Sequence, residues 1–347
     1  MRTVRVYAGL AAIIMILSLA VVGCVQPQVV EKVVTVEVEK EVIKEPDIVT
    51  IRTNWIFNGI HAFVFYGKQQ GFYKDEGIIL DIHEGNGSGN VVRTVINKSD
   101  DFALVSAEPV FVQMSMGAPL KLIYTWEGAY GYGYLCNPES NVNKPEDLKG
   151  KIIVTSPGAA SITIHPMFMD FMGLKDMPQL TLVDPGAATP TVLSGKADCE
   201  LSGWTDQLPV YRGENVEPTI VKLADYGFGG AVAAMITHQD TIDQKPDLVQ
   251  RMLRATRKAM DACWEDKEAC VQAELAEHPM MEHDVTFGQL DLDSQLWKSP
   301  NMQCNGEIVL TDWQGLYDLM KKMPDSGLEG DQPVESFIDA RFVPPCE

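Results

Sequence analysis

Beyond residue 46 the apolar positions change period repeatedly along the chain. They alternate over 47–55, recur at helical spacing over 61–76, and alternate again over 78–84. The same reading predicts a helix over 89–97, a strand over 101–108, a helix over 109–116 and a strand over 120–126. The rhythm then restarts, with strands over 151–155, 180–184 and 197–204 and helices over 161–172 and 189–194. Two α/β sheets in tandem are therefore predicted.

Between the two sets lies Tyr130-Gly131-Tyr132-Gly133-Tyr134-Leu135, and after the second comes Phe228-Gly229-Gly230-Ala231-Val232-Ala233-Ala234-Met235-Ile236. Both read as extended crossings with glycine hinges. The helix predicted over 246–265 carries one apolar stripe, Leu248, Met252, Leu253, Ala255, Ala259, Met260 and Ala262, and it suits a return to the first sheet. The division that follows is a first lobe of 47–129 plus 235–347 and a second of 130–234 that includes the crossings. Roughly 300 residues are more than one hydrophobic core usually holds, which agrees with two lobes. Lobes on two crossings can close like a jaw.

The N-terminal pattern is of another kind. Arg2 and Arg5 precede an uncharged apolar run from Val6 to Gly23 that ends in Val21-Val22-Gly23-Cys24. This predicts a signal peptide over 1–23. The junction resembles the bacterial lipobox, with Val21 where leucine is usual, and implies that Cys24 becomes the acylated first residue. An uncleaved membrane helix is the competing reading, since the run approaches the length that spans a bilayer. Either way the rest lies outside the cytoplasm. Residues 24–46, rich in Val, Glu and Lys and free of aromatics and glycine, read as a tether reaching on the order of 70 Å, with a short coiled coil as the alternative.

A formal charge of -20 without any run of lysine or arginine argues against nucleic acid as a partner. Apart from Cys24 six cysteines remain, and an even number in an oxidising compartment suggests disulfides. Cys263 and Cys270 are the first candidates for a bridge, provided that one helix breaks into the next between them. No Cys-x-x-Cys or close Cys/His set suggests a metal, and no cofactor motif is present.

In open α/β sheets ligands collect beyond the carboxyl ends of the strands. Those places hold Asn54 and Trp55, Glu84 to Gly89, Ser106 and Glu108, and Trp126 in the first lobe. In the second they hold Ser156, Ser161, Trp204 and Asp206. Tyr130 and Tyr226 flank the crossings. Trp55, Trp126 and Trp204 are the rings expected to sandwich a flat ligand, although each alone fits an ordinary core tryptophan equally well. Gly87-Ser88-Gly89 opens a helix but lacks the third glycine of a dinucleotide loop, so it reads as a cradle for an anion or polar group, or as a tight turn. His61, near the start of the first helix, is either a ligand contact or a cap. No acid/base pair or nucleophile motif at a familiar spacing appears, and an enzyme is not expected.

These segments resemble a known family. Asn54-Trp55, His61-Ala62, Gly67-Lys68-Gln69-Gln70-Gly71-Phe72-Tyr73-Lys74-Asp75-Glu76-Gly77-Ile78, Glu84-Gly85 and Gly87-Ser88-Gly89 are similar to the SsuA/THI5-like (NMT1) solute-binding proteins. The likeness continues through Pro145-Glu146-Asp147-Leu148-Lys149-Gly150-Lys151 and Leu193-Ser194-Gly195-Lys196-Ala197-Asp198 to about Pro246-Asp247-Leu248. It implies a type II periplasmic-binding-protein fold, with two α/β lobes joined by two crossing strands around a ligand cleft. It also implies an ABC permease as partner, and ligands such as thiamine pyrimidine precursors, riboflavin, aliphatic sulfonates or nitrate. By position, Trp55, His61 and Gly87-Ser88-Gly89 would touch ligand, whereas Ser106-Ala107-Glu108 stands where relatives often have Ala-Asp. One branch of the family resembles a pyrimidine-precursor synthase with a Cys-Cys-Cys-Phe-Cys motif, which nothing here matches. The expectation is an extracytoplasmic, lipid-anchored, monomeric binding protein for a small heterocycle, with a small anion or the synthase as alternatives.

Overall fold

The computed structural model describes residues 45–346 apart from 175. The expected signal peptide and Cys24 lie outside the described residues. The first lobe begins with β1 (Asp47–Arg52), α1 (Ala62–Gln69), α2 (Phe72–Asp75), β2 (Ile78–His83), α3 (Ser88–Ile96), β3 (Phe102–Ser106), α4 (Ala107–Ser115) and β4 (Leu120–Glu127). The second lobe contains β5 (Tyr132–Cys136), β6 (Ile153–Thr155), α5 (Ser161–Phe171), β7 (Leu180–Leu182), α6 (Ala188–Leu193), β8 (Cys199–Gly203), α7 (Trp204–Gly213) and β9 (Thr219–Lys222). The chain then returns through β10 (Ala233–His238) to α8 (Gln239–Gln244), α9 (Pro246–Glu265), α10 (Lys267–Glu277), α11 (His283–Ser294) and α12 (Leu310–Lys322).

Each lobe is built on one five-stranded sheet. The orders are β2-β1-β3-β10-β4 and β7-β6-β8-β5-β9, and in each the strand that arrives through a crossing, β10 or β5, runs antiparallel to its neighbours. In β1 Val49 and Ile51 point into the core while Ile48 lies exposed, as the alternation predicts. β3 is buried at every residue because helices cover both faces, so its sequence reads as an unbroken apolar run. The apolar stripe of α9 is buried from Leu248 through Met260.

Three expectations need correction. The single helix over 61–76 is two, because Gly71 takes a left-handed conformation at φ 80° and ends the first. The strand over 101–108 stops at Ser106, and Glu108 lies in the first turn of α4. The two crossings are shorter than expected. Tyr132–Cys136 is already a strand of the second sheet and Ala233–His238 a strand of the first, which leaves only 128–131 and 223–232 between the sheets. Along the first of these stretches the backbone is held, since Gly128 N–H and Ala129 N–H both donate to the Leu296 carbonyl, at 2.9 and 3.0 Å.

Three disulfides fasten the fold. Cys136–Cys199 joins directly opposed residues of β5 and β8, Cys263–Cys270 clamps the break at Asp266 between α9 and α10, and Cys304–Cys346 ties down the C-terminal segment. Asp266 caps α10 by accepting from Ala269 N–H at 3.0 Å, which lets the helix turn there and brings the two cysteines together.

In the chain-entropy account a bridge stabilises more when it closes a longer loop. Sequence separations of 63 and 7 therefore rank the first two bridges. Replacing Cys136 and Cys199 by alanine should cost about 4 kcal/mol and replacing Cys263 and Cys270 about 2 kcal/mol in denaturant unfolding. The reverse order would contradict the entropic ranking.

Candidate functional site

The carboxyl ends of both sheets' parallel strands open onto one cleft of about 380 Å³. That volume falls within the range that encloses a small organic molecule. From the first lobe come Asn54, Trp55, Ile56, Phe57 and Asn58 beyond β1, Gly87 and Ser88 beyond β2, Ser106 closing β3 and Glu127 closing β4. The second lobe supplies Tyr132, Thr155, Ser156, Ser161, Thr189, Glu200, Thr205 and Asp206, and α11 contributes Thr286 and Gln289.

Hydrogen bonds join the lobes around this space. Gly89 N–H donates to the Gly158 carbonyl at 2.9 Å, and a Cβ on Gly87 would stand 2.5 Å from the Gly158 backbone. Only a glycine at 87, where φ is 115°, allows so close an approach. The Ser106 and Tyr132 hydroxyls lie 2.9 Å apart. Gln289 on α11 spans the two lobes, accepting from Gly59 N–H at 2.9 Å and donating to the Asp206 carbonyl at 2.7 Å. Thr205 donates to Asp293 Oδ1 at 3.1 Å, and the Trp297 indole N–H donates to the other oxygen of that carboxyl at 3.0 Å.

The electrostatics are one-sided. Among the described residues no lysine, arginine or histidine lines the cleft, whereas Glu127, Glu200 and Asp206 all do and are buried. Loss of water pushes the Glu200 and Asp206 carboxyls up to about 7, against a hydrogen bond from Thr189 to the one and from Gln207 to the other. Burial raises both Glu127 and Asp293 above the usual carboxylate range, with the Asp293 and Asp206 charges adding to the effect on Glu127 and the Asp206 charge adding to that on Asp293.

Of the residues singled out in the sequence, Asn54, Trp55, Gly87, Ser88, Ser106, Ser156, Ser161 and Asp206 come together on the cleft wall. Others do not. Trp126 is wholly buried between His61 and Phe63, a core tryptophan after all. Trp204 packs its ring under Lys222 Nζ at 3.6 Å instead of lining the wall. His61 is also wholly buried; burial pushes its imidazole down to about 3, so it is neutral, and it meets Asn54 Oδ1 at 2.8 Å. It positions a wall residue without reaching the ligand space. Glu84 is exposed and accepts from Phe57 N–H at 2.9 Å, which shapes the loop after β1. Glu108 and Tyr130 are buried against each other, the hydroxyl donating to the carboxylate at 2.7 Å. Gly89 spends its N–H on the opposite lobe, and Tyr226 packs on Phe168.

Sequence reasoning missed Phe57, Tyr132, Glu127, Glu200 and α11. Tyr132 and Glu127 stood in plain view beside the predicted hinge. Glu200 had a signal too, as an acid inside an otherwise apolar strand.

Two α/β lobes that each carry a crossing strand and share a cleft at their carboxyl ends define a periplasmic-binding-protein fold. The chain belongs to the NMT1/THI5-like family, whose description matches residues 58–269. No curated protein matches the sequence. Among solved structures it is similar to the alkanesulfonate-binding protein SsuA from Xanthomonas axonopodis pv. citri bound to MOPS, at 14% identity and TM-score 0.65 over 86% of this chain and 99% of that one. It is also similar to the periplasmic nitrate-binding protein NrtA from Synechocystis PCC 6803, at 18% identity and TM-score 0.55 over 70% of each chain. A third similar structure is a cysteine-to-serine mutant of DSZB in complex with biphenyl-2-sulfinic acid, at 14% identity and TM-score 0.59 over 85% of this chain and 97% of that one.

The raised carboxyls fix a direction for stability against pH. Glu108, Glu200 and Asp206, each pushed up to about 7 by burial, hold protons in the folded state that an unfolded chain releases near its ordinary carboxylate pKa of about 4. Their contribution is complete below about pH 4 and fades as the pH climbs through about 7. His61 opposes this below about pH 6.5, one imidazole against three carboxyls. Thermal scans of the ligand-free protein should show a lower melting temperature at about pH 8 than at about pH 6. A rise over that interval would contradict the burial of these acids.

Proposed function

We propose that this chain is the extracytoplasmic binding component of an ABC importer, and that it encloses a small heterocycle between its lobes and presents the closed form to a permease. The observation that carries this reading is the cleft itself, with Trp55, Phe57 and Tyr132 offering flat faces among serine, threonine and amide groups. Flat rings grip a heterocycle by stacking and the polar groups orient it. Binding without turnover is the simpler reading, because all six cysteines among the described residues are in disulfides and offer no free thiol to the cleft. The ligands of the similar SsuA and NrtA structures favour a second reading, a sulfonate or nitrate. Against it stands the lack of any cationic side chain on the cleft wall among the described residues.

Mass spectrometry of material that co-purifies under native conditions should find a small heterocycle released on denaturation, and the same compound added back should change tryptophan fluorescence through Trp55. A released sulfonate or nitrate would favour the second reading, and no released compound together with no response to pyrimidines, riboflavin or sulfonates would sink the binding role. The Gly23-Cys24 junction supports a lipid anchor as well. Cys24→Ala should shift the protein from the membrane fraction to the soluble extracytoplasmic fraction, and unchanged fractionation would rule out anchoring at that residue.

A further inference from the structure

Asn54 lines the cleft, half-buried, and its backbone is pinned on both sides. Gly87 N–H donates to the Asn54 carbonyl at 2.9 Å, and the Thr53 hydroxyl donates to the Trp55 carbonyl at 2.7 Å. The side-chain amide could still turn over, exchanging its oxygen for its nitrogen. His61 decides between the two orientations.

His61 stands just before α1, wholly buried, with its ring stacked on Trp126 at 6.1 Å between centroids. The imidazole is neutral, so only one ring nitrogen carries a proton. Nδ1 is sealed from water and has no hydrogen-bond partner, whereas Nε2 lies 2.8 Å from Asn54 Oδ1. A proton on Nδ1 would be a donor stranded in the core, an arrangement that folded proteins avoid. On Nε2 the same proton is given to the Asn54 oxygen. The amide is thereby fixed with its oxygen toward the histidine, because the reverse orientation sets two donors against each other. What remains is the Asn54 amide nitrogen, which bonds to nothing among the described residues and, unlike His61 Nδ1, is reached by solvent.

Building on the solute-binding reading, we propose that His61 is a positioning residue that makes Asn54 an obligate donor, and that the solute is a neutral flat ring bearing a bare acceptor, a carbonyl oxygen or an unprotonated ring nitrogen, at the edge that meets Asn54. A ring whose matching edge carries only N–H groups leaves donor against donor there, with both unpaired. An asparagine free to turn over would accept either edge, so the selectivity lies in the buried histidine. Neutrality follows from the wall, which has no cationic side chain among the described residues to balance an anion.

The test uses two neutral bicyclic probes of similar size: quinoxaline, whose ring nitrogens only accept, and indole, whose ring N–H donates. NMR titration of the full chain should show quinoxaline binding tighter by about ten-fold. His61→Phe should cut that ratio to below about three-fold, whereas His61→Gln, which keeps an N–H for the Asn54 oxygen, should hold it. Asn54→Leu should erase it. A merely structural role for His61 would weaken both probes together and leave the ratio as it was, which would overturn the proposal. Should circular dichroism show that His61→Phe does not fold, the parent protein still decides. Long-range proton–nitrogen NMR of its imidazole should place the proton on Nε2 from about pH 5 to about pH 8. A proton on Nδ1, or a parent that binds indole as tightly as quinoxaline, would overturn the proposal and leave the solute-binding role standing. Failure of both probes would overturn it too, and the native mass spectrum then decides whether the binding role falls with it.

Discussion

Removing a carboxylate from water costs several kcal/mol, even after a protein relaxes around it, and the space between these lobes buries Glu127, Glu200 and Asp206 with no cationic side chain on its wall among the described residues. This constraint organises the site. The chain meets part of the cost locally. Thr189 and Gln207 bond to Glu200 and Asp206, and Thr205 and Trp297 bond to Asp293.

The close approach of the lobes depends on equally specific backbone chemistry. Gly87 lies against Gly158 with no space for a side chain on either residue, since a Cβ on Gly158 would stand 2.2 Å from Asn90. Gln289 links a first-lobe N–H to a second-lobe carbonyl from a helix that packs on both. The glycine-rich turn after β2 thus has a different task from the anion cradle its composition suggested. Its N–H at Gly89 engages the opposite lobe, and the turn brings the two walls of the cleft together.

The architecture was legible because the two periods of apolar residues report directly on burial. Alternation in β1, the unbroken apolar run of β3 and the stripe of α9 each follow from which faces are covered. The loops beyond β1, β2 and β6 were legible for the same reason, since topology alone places them at the cleft. Aromatic side chains were not, because the position of a ring along the chain does not fix its direction. Trp126 and Glu127 are neighbours at the end of β4, and the pleat sends the tryptophan into the core and the acid onto the wall. The tandem hydroxyls of Ser106 and Tyr132 meet only because the crossing turns the chain back on itself. The role of α11 depends on long-range packing that no local pattern encodes.

A guest in the cleft that touches both walls would hold the lobes closed around it. Small-angle X-ray scattering on protein stripped of ligand by unfolding and refolding, before and after return of the compound that co-purifies with it, tests this directly. A larger radius of gyration in the stripped protein that contracts when the compound returns is the predicted result. An identical radius in both states would contradict the account, because the cleft would then close without its ligand.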